Sequence, residues 1–288
     1  MTVSTATAQA PTKGFLDYAV DFAKKDERKD FLEVFITLCD WVPYFNVGEQ
    51  YKELAERGSG TIDTAKKGLA IPGFFSSLNE VRHKTSDFFQ KDDDDTGRQL
   101  FNASAVTVLN GAESSLFLDA TGLVPLKEGL KIAKTLFWAP IFLMEVVDFN
   151  YRICQLDDYH EQIATKKDDL VKNELLLEVG ESGIKKTRLE NRVSHIKEEI
   201  SLYESRADYT HLMIIKKVTL LALSSLLLVS ILFASMAQGI LFAPITLLSL
   251  SSSWLALHII TYMYDRVLTA RMEEMDQRKN ELSIANMI

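Results

Sequence analysis

The side chains best equipped for chemistry are few and far apart. Five histidines (His83, His160, His195, His211 and His258) and two cysteines (Cys39 and Cys154) are spread along 288 residues. A metal site needs such ligands at close helical or loop spacing, and nucleophilic catalysis needs a Ser or Cys beside a base. None of these histidines stands four residues from another His or a Cys. There is no G-x-S-x-G, Walker loop, G-x-G-x-x-G, H-E-x-x-H or C-x-x-C. The sequence therefore predicts no catalytic, cofactor-binding or metal-ligating residue, and not an enzyme.

The acidic run "KDDDDTG" (Lys91–Gly97) fails as a calcium loop, because its glycine is displaced and no Glu closes it. It reads as a solvated linker or a helix N-terminus, where carboxylates meet the positive end of the helix dipole. His258 stands out by its setting, inside a block that lacks Asp, Glu, Lys and Arg from Val218 to Tyr264. A proton relay is one reading of such a residue. A lone histidine close enough to the end of the block to reach an aqueous interface is the plainer one.

The elements that position these residues follow from hydropathy. The block is 47 residues long, about 70 Å as one straight helix, whereas a hydrocarbon core of about 30 Å needs about 20 residues. It should therefore fold back on itself. "AQGILFAP" holds Gln238, Gly239 and Pro244, the candidate turn of a membrane hairpin. One span is expected at 214–236 and another at 243–264. Lys197, Arg206, Lys216 and Lys217 flank the block upstream, and Arg266, Arg271, Arg278 and Lys279 flank it downstream. The positive-inside rule then places both termini in the cytosol. Ser230 with Ala234, and Ser249 with Ser253, are small-residue pairs that could let the spans approach. Mid-span Trp254 is expected to pack on the partner helix. The alternative to a membrane is a large buried core.

Upstream, helical rather than strand periodicity recurs. Phe31, Val34, Phe35, Leu38 and Val42 form one apolar face closed by Pro43, and Gly58, Gly60, Gly68 and Pro72-Gly73 punctuate the next stretch. Phe74, Leu78, Val81, Thr85 and Phe88 share a second face. "TLFWAPIFLM" (Thr135–Met144) is too short to span. The helix 130–147 that holds it is either protein core or an interfacial helix lying on a bilayer. From Phe149 the pattern becomes heptads: Phe149, Ile153, Leu156, His160, Ile163, Lys167, Leu170, Glu174 and Leu177. After "VGESG" come Leu189, Val193, Ile196, Ile200, Tyr203, Ala207 and Thr210. Such seams bury against another helix. They predict an antiparallel helical hairpin, with dimerisation through the arms as the alternative. Leu189, Val193, Ile196, Ile200 and Tyr203 are the candidate protein-binding seam.

The predicted organisation is all-α. It comprises a disordered N-terminus (1–14), a helical region (15–145), a helical hairpin or coiled coil (146–213), a two-span transmembrane hairpin (214–264) and an amphipathic C-terminal helix and tail (265–288). With 32 basic against 40 acidic residues, the net charge is −8. No long basic stripe offers a nucleic-acid surface. Expected partners are a lipid bilayer, a cytosolic helical protein and a second copy of the chain. The leading expectation is a membrane-anchored scaffold displaying cytosolic coiled-coil arms. The alternatives are membrane shaping by wedge insertion and a small oligomeric pore.

Two resemblances add to this. The paired spans with an uncharged turn, together with the start "MTVSTATAQAPT", resemble chlamydial inclusion-membrane proteins and their type III secretion signals. That resemblance implies a secreted effector in a host-derived vacuole membrane, with both flanks facing the host cytosol and engaged in host–pathogen interaction. "FLDYAVDFAKKDERKDFLEVF", "LNEVRHKTSDFF" and "SSLFLDATGLVPLKEGLKIAKTLFWAPIFLMEVVDFNYRI" are similar, in order, to helices of peroxisomal membrane-elongation peroxins. That resemblance implies membrane remodelling by amphipathic helices.

Overall fold

A computed structural model describes residues 28–45, 47–90, 94–127, 129–179, 184–232 and 244–285. Among these residues there is no strand. The order is α1 (Arg28–Trp41), a 3-10 turn (Val42–Tyr44), α2 (Glu49–Gly68), α3 (Ala70–Gln90), α4 (Asp94–Ala120), α5 (Leu130–Glu178), α6 (Ile184–Leu232) and α7 (Pro244–Ala285). Residues 1–14, Gln238, Gly239, Ala234 and the glycines of "VGESG" lie outside the described residues. The chain divides into two units, 1–66 and 67–288.

In the first unit, Pro43 stops α1 and sits in the opening of the 3-10 turn. Ser59 of α2 donates to Asp40 at 2.6 Å, and Lys66 pairs with Glu33. Of the glycines expected to punctuate this stretch, Gly68 closes α2 and the other two do not break it. Gly58 and Gly60 lie inside α2, where a methyl at position 58 would sit 3.8 Å from the Cys39 sulfur. The apolar face expected on α1 is turned partly outward: Phe35 and Leu38 are exposed, while Ile36 and Thr37 are buried.

The second unit is a series of antiparallel neighbours. Helix α4 starts at Asp94, the helix-N-terminus reading of the acidic run. Helices α3 and α4 run side by side from Lys84, which donates to Gln99 at 2.7 Å, to Gly111. A Cβ on Gly111 would meet the Phe74 ring at 3.2 Å, so the glycine permits this close approach. Pro72 falls in the first turn of α3, where a missing amide proton costs little.

Helices α5 and α6 form the long antiparallel hairpin. Along it Lys166 pairs with Glu199 at 2.7 Å and Lys197 with Glu174 at 2.9 Å. Helix α7 returns along α6: Arg271 donates to Ser205 at 3.0 Å, and Tyr209 stacks on Tyr264 at 5.9 Å. The expected division at 14/15 lies outside the described residues, and the other three fall within helices. Helix α5 runs through 145/146 and through a buried Pro140, α6 through 213/214, and α7 through 264/265. Arm and apolar block are single continuous rods.

Candidate membrane interface

The antiparallel register decides which apolar segments share a level. Lys131, at the start of α5, donates to the Leu232 carbonyl at the end of described α6, at 3.3 Å. One apolar segment later, Glu145 accepts from Lys217 at 2.9 Å. Leu130–Met144 therefore lies alongside Val218–Leu232. Helices α6 and α7 are long and apolar enough to cross a membrane, with mean hydropathies of 2.1 and 1.3 over their most apolar windows. Only 11% of each window is buried inside the chain. Val218, Val229, Leu232, Ile245 and Ile260 all present large exposed apolar surface. A soluble core helix would hide these side chains.

At the charged edge of this apolar zone the helices are tied by a polar layer. Lys217 Nζ reaches Glu145 Oε1 and Asp148 Oδ2, at 2.9 and 3.0 Å. Arg98 of α4 pairs with Asp148 Oδ1 at 3.3 Å and lies 3.9 Å over the Tyr151 ring. Beside them Lys216 Nζ contacts His258 Nδ1 of α7 at 2.5 Å. Every helix from α4 to α7 contributes a residue.

The two carboxylates differ. Burial raises the Glu145 carboxyl above its ordinary value, against the opposing pull of Lys217. Asp148 is less buried, and its attraction to Lys217, its hydrogen bond from that lysine and nearby Arg98 together outweigh desolvation and lower it. Among the described residues, Glu145 Oε2 and Asn102 Oδ1 are buried without a hydrogen-bond partner.

The predicted seam residues face inward. Val193, Ile196 and Ile200 are buried, and Leu189 and Tyr203 are half-buried. They are occupied by helices of this same chain, so they do not form an open docking face in this structure. In α5 the seam is shifted. Arg152, Tyr159, Lys166 and Asn173 turn inward where Ile153, His160 and Lys167 are exposed. Tyr159 lies 6.3 Å from Tyr203, while Lys167 and Glu174 make flanking pairs with Glu204 and Lys197.

Of the candidate turn, Pro244 is the first residue of α7. Of the small-residue pairs, Ser249 and Ser253 are exposed and Ala234 lies outside the described residues; Ser224 of α6 is fully buried. Its hydroxyl donates to the Leu221 carbonyl at 3.2 Å, which removes the cost of burying it. Trp254 stacks on His258 of its own helix, 5.4 Å between centroids. His160 and His211 come within 6.1 Å across α5 and α6.

Sequence reading missed the layer of Arg98, Glu145, Asp148 and Lys217, because its members are up to 119 residues apart (217 − 98). The available signal was positional: Glu145 ends one apolar run and Lys217 precedes the other. No protein-family model, curated protein or solved structure matches the chain.

Proposed function

We propose that this chain is a membrane-anchored helical protein. Helices α6 and α7 hold its apolar end in a bilayer, and the charged arms of α5, α6 and α7 stand in the cytosol as an interaction platform. The observation that carries this reading is the low burial of the two apolar windows within the chain. Large exposed aliphatic surfaces are tolerated when hydrocarbon covers them. The polar layer falls at the edge of this surface, where lysine stems can lie along apolar helix while their ammonium groups reach polar partners.

The interaction surface belongs on the outside of the arms, since the Val193–Ile200 seam is filled. Val171 and Leu175 of α5 and its C-cap Val179 follow i, i+4, i+8 spacing and are 55%, 55% and 85% exposed, near the end farthest from the apolar zone. A stripe of that spacing suits an apolar groove or a partner helix.

Topology tests the anchor. Single cysteines placed at Gln238 and near each terminus, in a chain lacking Cys39 and Cys154, are labelled with a membrane-impermeant maleimide in sealed vesicles. Both termini are expected to react from one side and Gln238 only from the other. Termini that label from opposite sides overturn the hairpin.

A further inference from the structure

We propose that the bilayer is also entered by a second helical hairpin, formed by Gln99–Leu118 of α4 and Leu130–Met144 of α5, whose lipid-facing side chains include Val108, Ile132, Leu136 and Leu143. This rests on the membrane reading of α6 and α7 and extends it from two embedded segments to four. Neither new segment is as apolar as the spans of α6 and α7, so hydropathy alone passes over them.

Register is the first argument. The Lys131–Leu232 and Glu145–Lys217 contacts pin both ends of Leu130–Met144 to the span of α6. If that span is in hydrocarbon, its neighbour is at the same depth. The Arg98–Asp148 pair ties the start of α4 to the same polar layer. From Arg98 to Leu118 α4 rises about 30 Å, enough to run the full depth of the apolar zone beside it.

The distribution of polar groups is the second. Ile132, Leu136 and Leu143 are 63%, 46% and 50% exposed, and Val108 is 43% exposed. The polar side chains of α4 go the other way. Asn110 and Glu113 are buried, and Asn110 donates to buried Ser77 at 3.5 Å. Ser104, Thr107, Ser114 and Ser115 return their hydroxyl protons to backbone carbonyls one turn earlier, at 2.7–2.9 Å. An outer face led by aliphatic side chains, with Asn110 and Glu113 turned inside, is the arrangement that lipid selects; buried Asn102 Oδ1 and exposed Lys134 depart from it.

The turn between the helices is the third. Asp119 Oδ1 accepts from the Leu126 amide at 2.7 Å, Gly122 at φ 74° donates to the Asp119 carbonyl at 3.0 Å, and Val124 donates to the Leu118 carbonyl at 3.1 Å. A turn closed on itself leaves fewer backbone groups for water. Exposed Lys127, Lys131 and Lys134 mark its polar end, so the stretch of α5 without exposed charge runs from Thr135 to Met144.

The test is collisional accessibility of nitroxide labels on single cysteines in the full chain, reconstituted in phosphatidylcholine–phosphatidylglycerol vesicles. Positions Leu136 and Leu143 are compared with Val229 and Ser253 in the spans, and all four are exposed enough to accept a label. The expected result is oxygen-favoured collision at all four. Labels at Leu136 and Leu143 that collide with a water-soluble nickel chelate while Val229 and Ser253 stay oxygen-favoured overturn the second hairpin and leave the anchor standing. Chelate-favoured collision at all four overturns both.

Discussion

At the scale of single residues, the polar layer is where the chain commits most free energy to a few atoms. Lys217 is only 12% exposed and serves two carboxylates. Breaking a buried pair costs about 3–5 kcal/mol, because the remaining charge is stranded. Asp148→Asn takes the lowered carboxylate from both Lys217 and Arg98, and a loss of about 3 kcal/mol at neutral pH is expected. Glu145→Gln is expected to cost far less, since burial already disfavours the Glu145 charge.

Their pH dependences have opposite signs. Asp148, with its carboxyl lowered from 3.8, contributes stability above that value that is lost as pH falls through its lowered folded value. Glu145, raised from 4.5, is most favourable in acid, and its contribution declines as pH rises from 4.5 through its raised folded value. Thermal unfolding in detergent between pH 3 and pH 7 should therefore show a flatter slope above about 4.5 in Glu145→Gln and a weaker acid limb in Asp148→Asn. If Glu145→Gln proves the more destabilising of the two at neutral pH, this assignment of roles is wrong. None of this was readable from local sequence. The flanking lysines were visible as orientation signals, but a pairing partner on another helix depends on register, and register is set by the whole packed length.

At the scale of helices, the second arm was fully legible. Its apolar residues recur at seven-residue spacing with no competing polar choice, and Val193, Ile196, Ile200, Ala207 and Thr210 are all buried. The first arm was legible only in alternate layers. Leu156, Ile163, Leu170 and Leu177 face inward, but the positions between them shift by one residue. The sequence offered Ile153, His160, Lys167 and Glu174 there. Packing prefers the Tyr159 ring against Tyr203 and the long stem of Lys166 reaching Glu199, and it keeps Lys167 and Glu174 at the edge. A half-polar seam leaves periodicity ambiguous, and only the partner's contacts decide it.

This predicts an inversion of naive hydropathy along α5. Tyr159→Ala should lower the melting temperature clearly, with a loss on the order of 2 kcal/mol for a half-buried aromatic. His160→Ala and Ile153→Ala should each stay within about 0.5 kcal/mol, as exposed positions do. Equal losses at 159 and 160 would mean that the seam reads as the heptads alone suggest.

At the scale of the whole second unit, two polar collars bound the apolar zone. One holds Lys217 and Glu145. The other is marked by Lys131 against the Leu232 carbonyl. Between the two collars, from Lys217 to Leu232, α6 rises about 22 Å. A typical hydrocarbon core is about 30 Å. On the proposed membrane reading, four helices tied at one end by a buried ion cluster cannot easily tilt independently, so the bilayer would have to thin or Lys131 would reach outward along its stem. Local thinning around a wide bundle stresses the membrane, and this gives the membrane-shaping alternative a physical basis that two isolated spans would lack. The chain should therefore prefer thin bilayers. Reconstituted into phosphatidylcholine vesicles that differ only in acyl-chain length, it is expected to resist thermal unfolding best in the shorter-chain lipids and to lose stability steadily as thickness grows, by fractions of a kcal/mol per Å. Lys131→Leu should move the optimum toward thicker bilayers by removing the charge from that collar. A stability optimum in thick bilayers, or no response to Lys131→Leu, would show that the collars do not set the depth at which the chain sits.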